Sequence, residues 1–201
     1  MITIVDCGLG NTGSVLNMIQ RVGGEARLSH SAEEIACAEK LILPGVGAFD
    51  AGVASLSETG LGDAVKSAVA DGAWLLGVCL GMQLLLEESE EGAREGLGLV
   101  RGRCLRFDLA GQGLRVPHMG WNTVDVKESS VLFGGEDEER RYYFVHSYYA
   151  VCDDPADVAA TTTYGHEFVA AIEHDRVLGA QFHPEKSHRF GMALMRRFVE
   201  A

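Results

Sequence analysis

The segment GVCLGMQLL, residues 77–85, places a cysteine between two glycines where an apolar run gives way to helix-forming residues. The run before it, Ala73 to Val78, is short, continuous and apolar, which is the pattern of a strand buried on both faces. The run after it, Met82 to Glu88, has good helix formers and no helix breaker. Cys79 is therefore predicted to lie at a strand-to-helix turn, which is typical of a sheet covered by helices.

The first half of the chain repeats this alternation of strand and helix. The other elements predicted there are a strand at Ile2 to Val5, a helix at Ser14 to Val22, a strand at Leu41 to Leu43 that ends at Pro44 and Gly45, and a helix at Asp63 to Asp71. Alternating strands and helices predict an α/β fold with a central, mostly parallel mixed sheet flanked by helices.

The second half is richer in strands and turns, which predicts extra antiparallel strands. Its predicted strands are Leu99 to Phe107, Arg141 to Val151, Val158 to Thr163, Val169 to Ile172 and Leu178 to Phe182, followed by a helix from about His188 to Val199. No linker rich in Pro, Gly or Ser, no repeat and no low-complexity tract divides the sequence. A single domain over residues 1–201 is the prediction.

The charge balance narrows the classes of partner. The net charge is −12 and no cluster of Lys and Arg is present, which argues against nucleic acid or an anionic membrane as the main partner. Acidic residues bunch at Glu87 to Glu95 and at Glu136 to Glu139, and both clusters are predicted to be solvated surface. The N-terminus lacks a leader pattern and no apolar run is long enough to span a bilayer, so a cytoplasmic protein is expected.

The five cysteines are odd in number, scattered and without CxxC spacing. This pattern favours free thiols over a disulfide framework or a zinc cluster. Four of them, Cys7, Cys37, Cys104 and Cys152, are predicted to be inert small core residues. Cys79 differs because small flanking residues let the turn lift a nucleophile above the sheet edge, and the helix that follows favours its thiolate form. A packed structural cysteine stays open as an alternative.

A nucleophilic cysteine needs a base, and the segment QFHPEKS, residues 181–187, supplies His183 and Glu185 across Pro184. In an extended backbone residues i and i+2 point the same way, so the carboxylate is predicted to orient the imidazole. Cys79, His183 and Glu185 would then be nucleophile, base and orienting acid. A satisfied or surface histidine is the alternative, and a metal site at His183, Glu185 and His188 matches no zinc spacing, so no metal is predicted.

The glycine-containing segment LPGVGAFD, residues 43–50, follows a predicted strand. Such a loop can bring backbone N–H groups close to a ligand, as an oxyanion hole requires. A plain strand-to-helix turn explains it equally well.

Together these motifs resemble the class I (triad) glutamine amidotransferases, through Gly77 to Gln83 and the His183-Pro184-Glu185 motif. Four further segments resemble the glutaminase subunits of imidazole glycerol phosphate synthases: DCGLGN at 6–11, PGVGAFD at 44–50, VPHMGWN at 116–122 and YFVHSYY at 143–149. The segments run from residue 6 to 187 in the order expected of the family. One departure is Cys7, where the family usually has an aromatic residue, and it bears on local packing more than on activity.

The resemblance implies a glutaminase reaction and its residues. Cys79 would attack the side-chain carboxamide of glutamine, His183 would protonate the departing ammonia and then activate water, and Glu185 would fix the tautomer of the imidazole. The Leu80 N–H and an amide of the Pro44 to Gly47 loop, expected to be that of Gly47, would hold the oxyanion. The residues implied to bind glutamine are Gly45, Gln83, Ser147 and Tyr148. No cofactor is implied.

The resemblance also implies a partner, because ammonia free in neutral water is protonated and no longer nucleophilic. In the family the partner is a (β/α)8-barrel cyclase that uses the ammonia to make imidazole glycerol phosphate and aminoimidazole carboxamide ribotide in histidine biosynthesis, and the two form a heterodimer. The residues implied at or near that interface are Asn11, Met119, Trp121, Asn122, Tyr143 and Lys186. The family further implies that the glutaminase is stimulated when the partner binds its own substrate, through reorientation of the Pro44 to Gly47 loop. We hypothesise that Val46 and Gly47 form this switch, because two glycines flank Val46.

Three of the interface residues also have an ordinary structural explanation, and three other functions stay open. Trp121 fits a core aromatic, Asn11 a helix cap and Lys186 an exposed lysine. The other functions are a glutaminase serving another synthase, such as pyridoxal phosphate synthase, a partner-independent cysteine hydrolase such as a peptidase, and a catalytically silent regulatory module.

Overall fold

A computed structural model of the chain describes residues 1–134 and 139–201. The strands are β1 Ile2–Val5, β2 Ala26–Ser29, β3 Lys40–Gly45, β4 Trp74–Cys79, β5 Glu88–Ser89, β6 Gly102–Arg106, β7 His118–Thr123, β8 Asp125–Val126, β9 Arg141–His146, β10 Tyr148–Cys152, β11 Val158–Tyr164, β12 His166–His174 and β13 Val177–Ala180. The helices are α1 Thr12–Arg21, α2 Ala32–Ala36, α3 Phe49–Glu58, α4 Leu61–Ala70, α5 Leu80–Leu84 and α6 His188–Glu200, with short 3-10 turns at Pro155–Asp157 and Pro184–Lys186.

Eleven of the thirteen described strands form one mixed sheet. Its main path runs β2, β1, β3, β4, β13, β12, β10, β6 and β5, and β11 joins β12 to β8. The pairs from β2 to β13 are parallel, whereas β12 pairs antiparallel with β13, β10 and β11. Strands β7 and β9 form a separate antiparallel pair. The carboxyl ends of β1, β3, β4 and β13 therefore share one edge of the sheet, the usual place for a ligand site in such folds.

Alternation along the central strands builds a core on each face of the sheet. In β3, Leu41 and Leu43 belong to the cluster that packs against α2 to α5, whereas Ile42 belongs to the cluster that packs against α1 and α6. Burial on both faces explains why these strands read as continuous apolar runs. The sequence prediction of an α/β mixed sheet with antiparallel strands in the second half is confirmed. The prediction of a single domain over residues 1–201 stays a prediction.

Several predicted boundaries are wrong, for physical reasons. Strand β3 continues through Pro44 and Gly45, which pair with Val78 and Cys79 of β4. The predicted strand over residues 141–151 is two strands separated at Ser147. The helix after Cys79 begins at once at Leu80 and ends at Leu84 instead of running to Glu88. It ends because the carbonyls of residues 84, 85 and 86 accept backbone N–H groups from residues 97, 99 and 98.

The prediction that four of the cysteines are core residues also needs correction. Cys37 is exposed and Cys152 is half-buried, so of the four cysteines predicted to be core residues only Cys7 and Cys104 are buried. In the second acidic cluster, residues 136–138 lie outside the described residues, and Glu139 is exposed. Over residues 1–134 and 139–201, we find no helix that combines the length and apolar character needed to cross a membrane.

Candidate active site

The turn between β4 and α5 forms a tight elbow around Cys79. The backbone of this cysteine has φ 56° and ψ −112°, a conformation that non-glycine residues rarely adopt. The flanking glycines explain how the elbow packs. A Cβ on Gly77 would lie 2.7 Å from the carbonyl oxygen of Gly81, and a Cβ on Gly81 would overlap the carbonyl oxygen of Leu43. Only glycine at both positions lets α5 lie this close to β3 and β4.

His183 and Glu185 reach the elbow from the neighbouring strand. Because β13 pairs in parallel with β4, Ala180 lies opposite Val78, and the residues that follow leave the sheet beside Cys79. The Nδ1 atom of His183 lies 2.7 Å from Oε1 of Glu185, and their side chains are 3% and 7% exposed. His183 and Glu185 are paired as predicted. The extended backbone predicted between them is wrong, because His183 is extended but Pro184–Lys186 forms a 3-10 turn.

The electrostatics of this group favour a charged imidazole. Burial lowers the pKa of His183, but its interactions with the Cys79 thiol and the Glu185 carboxylate outweigh burial and raise the pKa to about 9. Since Nδ1 faces Glu185, Nε2 is the nitrogen left for the thiol. His183 is therefore protonated at neutral pH, beside a cysteine and oriented by a carboxylate. Such a group can supply a proton to a leaving group at the elbow.

The predicted oxyanion residues lie at the elbow and in the loop after β3. Leu80 is the first residue of α5, directly after Cys79. Gly45 pairs with Cys79, and a Cβ on Gly45 would lie 2.9 Å from the backbone nitrogen of Gly81. Gly47 lies two residues beyond β3, exposed and with φ 107°. Gly45 and Leu80 are thus brought against the cysteine, whereas Gly47 lies in the exposed part of the loop.

The predicted glutamine-binding residues fall on two neighbouring elements. Nε2 of Gln83, on α5, donates to the Tyr148 carbonyl at 3.1 Å. Ser147 joins β9 to β10, and its carbonyl accepts the N–H of Phe107 at 3.1 Å. Gln83 and Tyr148 are therefore brought together beside the elbow, with Ser147 next to them in the chain.

Three buried residues near this site are missed by the sequence analysis. Gln181 is completely buried, and its Nε2 lies 3.9 Å from the Cys79 sulfur. His118 and His146 are buried and joined by a hydrogen bond of 3.0 Å. The sequence could have indicated that Gln181 has a function, because it is a lone polar residue in the apolar run that leads to His183. Nothing in the sequence spacing pairs His118 with His146.

Three of the six predicted interface residues gather on the surface beside the site. Trp121 is 40% exposed, its ring stacks on that of His188 at 5.5 Å, and it meets Tyr143 edge to face. The ammonium of Lys186 lies 5.8 Å from the centre of the Tyr143 ring, a cation–π contact. The His183 N–H donates to the Tyr143 carbonyl at 2.9 Å, so this exposed cluster touches the backbone of the candidate base.

The other three interface residues have different surroundings. Met119 is 61% exposed on the same face of β7 as Trp121. Asn122 is half-buried, and its Nδ2 donates to the Thr163 carbonyl at 2.9 Å. The Asn11 side chain accepts the Ser14 N–H at 3.2 Å and caps α1, which agrees with the alternative explanation for this residue.

Known proteins are similar to this chain over its whole length. A family model described as "Glutamine amidotransferase class-I" matches residues 3–201. A Pseudomonas aeruginosa protein named "Imidazole glycerol phosphate synthase subunit HisH 2" is 50% identical over 201 residues, covering 100% of this chain and 99% of that protein. A protein of the same name from Methanococcus maripaludis is 47% identical over 201 residues, with the same coverage.

A solved structure agrees in fold. A crystal structure described as a glutamine amidotransferase superposes with a TM-score of 0.77 at 23% identity, covering 99% of this chain and 97% of that chain. This likeness confirms the predicted class of fold.

Proposed function

The chain belongs to the class-I glutamine amidotransferase family, and on this premise we propose that it is the glutaminase subunit of an imidazole glycerol phosphate synthase. The observation that carries the proposed chemistry is the meeting of the elbow cysteine with the His183–Glu185 pair at the carboxyl ends of two neighbouring parallel strands. The choice of synthase is supported by the names of the full-length relatives. The reaction hydrolyses L-glutamine to glutamate and ammonia.

The first half of the proposed reaction forms a thioester. The Cys79 sulfur, as thiolate, attacks the side-chain carbonyl carbon of glutamine, and the carbonyl electron pair moves to oxygen. His183 then gives its Nε2 proton to the amide nitrogen, the C–N bond breaks, and ammonia leaves. Its raised pKa keeps His183 protonated at neutral pH for this step. Glu185 holds Nδ1 and therefore the orientation of the ring.

The second half releases glutamate and restores the site. Neutral His183 takes a proton from water, the hydroxide adds to the thioester carbon, and the C–S bond breaks. The sulfur leaves as thiolate beside a protonated His183, and the new carboxylic acid loses its proton to solvent. In both halves we assign the oxyanion to the backbone N–H groups of Leu80 and Gly47, and glutamine binding to Gly45, Gln83, Ser147 and Tyr148.

The product ammonia requires a second active site close by. Ammonia that escapes into neutral water becomes ammonium, which has no lone pair for attack. We therefore propose a heterodimer with a (β/α)8-barrel cyclase that takes up the ammonia. Trp121, Tyr143 and Lys186 would lie at that interface together with Met119, Asn122 and Asn11, since the aromatic cluster is exposed and adjoins the backbone of His183.

The test is glutamate release from glutamine by the purified chain, alone and with a cyclase barrel from the same source carrying its ribonucleotide ligand. We expect strong stimulation by the liganded barrel, and its complete loss in Cys79→Ala. If the barrel changes nothing while Cys79-dependent glutaminase activity persists, the chain serves another synthase. Turnover that survives Cys79→Ala would refute the proposed nucleophile.

A further inference from the structure

The Cys79 thiol is in contact with a buried amide whose orientation is fixed from its other end. Oε1 of Gln181 accepts a hydrogen bond from Nε2 of Gln83 at 3.0 Å, and Nε2 of Gln181 lies 3.9 Å from the sulfur. An amide has its acceptor and its donors at opposite ends of a rigid plane. Because Gln83 donates to the oxygen, the N–H group of Gln181 must face the sulfur.

Gln83 is in turn held by the Tyr148 carbonyl. Nε2 of Gln83 donates to that carbonyl as well as to Gln181, so both of its N–H groups are used inside the protein. Only Oε1 of this side chain is then left for a donor on a substrate. The same carbonyl lies 2.8 Å from Nδ1 of His146, and since a carbonyl only accepts, Nδ1 of His146 carries the proton.

The proton on Nδ1 of His146 fixes the tautomers of His146 and of its partner His118. With its proton on Nδ1, neutral His146 presents a bare Nε2, which accepts from Nδ1 of His118 at 3.0 Å. The bare Nε2 of His118 then faces the Nδ2 donor of Asn122 at 3.4 Å. Burial lowers the pKa of His118 to about 4 and that of His146 to about 3, so both rings are neutral at pH 7.

Aromatic rings pack against both histidines. His118 and His146 lie opposite each other on β7 and β9, and His118 is stacked between Tyr164 at 4.2 Å and Phe144 at 4.9 Å. The donors and acceptors from Asn122 to Cys79 therefore have one mutually consistent arrangement. Its far end, Asn122, is also fixed to the Thr163 carbonyl.

We propose that Gln181, Gln83, His146 and His118 are positioning residues that hold the Cys79 thiol and the Tyr148 carbonyl through one hydrogen-bonded chain, anchored by Asn122 on β7. The inference rests on the proposed glutaminase function and deepens it. It gives a role to three residues that the proposed reaction does not otherwise use, namely Gln181, His118 and His146. A misplacement of a nucleophile by about 1 Å can cost a hundredfold in rate.

The test compares variants by steady-state glutaminase kinetics, in complex with the liganded cyclase, and by the alkylation rate of Cys79 in the chain alone. Alkylation is read at the Cys79 peptide because Cys37 is exposed. Gln181→Met, which keeps volume but removes donor and acceptor, should lower kcat about tenfold to a hundredfold with a much smaller change in KM, and should slow alkylation.

A matched pair at His146 separates positioning from packing. His146→Phe should lower kcat about tenfold, whereas His146→Asn, whose Nδ2 can donate to the Tyr148 carbonyl, should recover most of that loss. The control is Ser130→Ala, which removes a partly buried hydrogen bond, to Glu173 at 2.6 Å, outside the hydrogen-bonded chain from Asn122 to Cys79. It should leave kcat and alkylation within about twofold of the wild type.

The outcomes discriminate between the two proposals. Folded Gln181→Met and His146→Phe with wild-type kcat and alkylation would overturn the positioning chain, and so would an equal kcat loss in Ser130→Ala. If Gln181→Met does not fold, the contrast between His146→Phe and His146→Asn decides alone. If the wild type shows no Cys79-dependent glutaminase activity but alkylation still slows in Gln181→Met, the proposed function fails and the positioning chain stands.

Discussion

The raised pKa of His183 predicts a specific loss of stability with increasing pH. The folded-state pKa of about 9 lies above the usual value of 6.5, so between these values the folded chain binds more protons than the unfolded chain. The unfolding free energy must then fall as pH rises. Because His183 is only 2% exposed, solvent screening is small. At 1.36 kcal/mol per pKa unit, its contribution is about 3 kcal/mol at pH 6.5, about 1 kcal/mol at pH 8 and well below about 1 kcal/mol at pH 9.

The assay is urea unfolding of the wild type and of His183→Gln at intervals from pH 6 to pH 9. The Cys79 thiol contributes to the raised pKa of His183, so the difference between the two unfolding free energies reports the coupled Cys79–His183 pair. That difference should fall by about 2 to 3 kcal/mol in favour of the variant between pH 6.5 and pH 9. A difference that stays constant or rises with pH would refute the charged imidazole on which the proposed proton transfer depends.

Three further predictions follow from the site and the elbow. Gly47→Ala adds a side chain at φ 107°, so it should lower kcat about a hundredfold with little effect on glutamine binding; equal losses in both would contradict the oxyanion role. Trp121→Ala should weaken cyclase binding about thirtyfold in a titration while Cys79 alkylation stays unchanged, and unaltered affinity would remove Trp121 from the interface. Gly81→Ala should destabilise the fold by more than about 3 kcal/mol in urea unfolding, whereas Gly13→Ala, with open space around it, should stabilise it by about 0.5 kcal/mol; similar values for both would contradict the elbow packing.

The central strands and the elbow could be predicted from sequence because their determinants are local. Strands buried on both faces are read as short apolar runs, and the paired glycines around Cys79 mark a backbone that needs a close approach. The contact between His183 and Glu185 was also predictable, since two residues of separation limit where the second side chain can go. The extended backbone assumed for it was wrong, because residues 184–186 form a 3-10 turn.

What could not be predicted depends on pairing between distant segments. The elbow helix ends at Leu84 because residues 97–99 donate to the carbonyls of residues 84–86, and no pattern within the helix records this. His118 meets His146 only because β7 pairs with β9 in one register. Gln181 stands out as polar within an apolar run, but its contact with Cys79 requires the parallel pairing of β13 with β4. Such tertiary hydrogen bonds leave no periodic signal in the sequence.

Direct transfer to a cyclase of the ammonia that Cys79 releases from glutamine can be followed with an isotope. Glutamine labelled with nitrogen-15 in its side-chain amide is given to the chain together with the cyclase and its ribonucleotide, in the presence of excess unlabelled ammonium. Direct transfer predicts that the imidazole product carries the label at nearly full enrichment, and that Cys79→Ala abolishes its incorporation. A product whose label is diluted to the level of the free ammonium, or labelled product from Cys79→Ala, would contradict it.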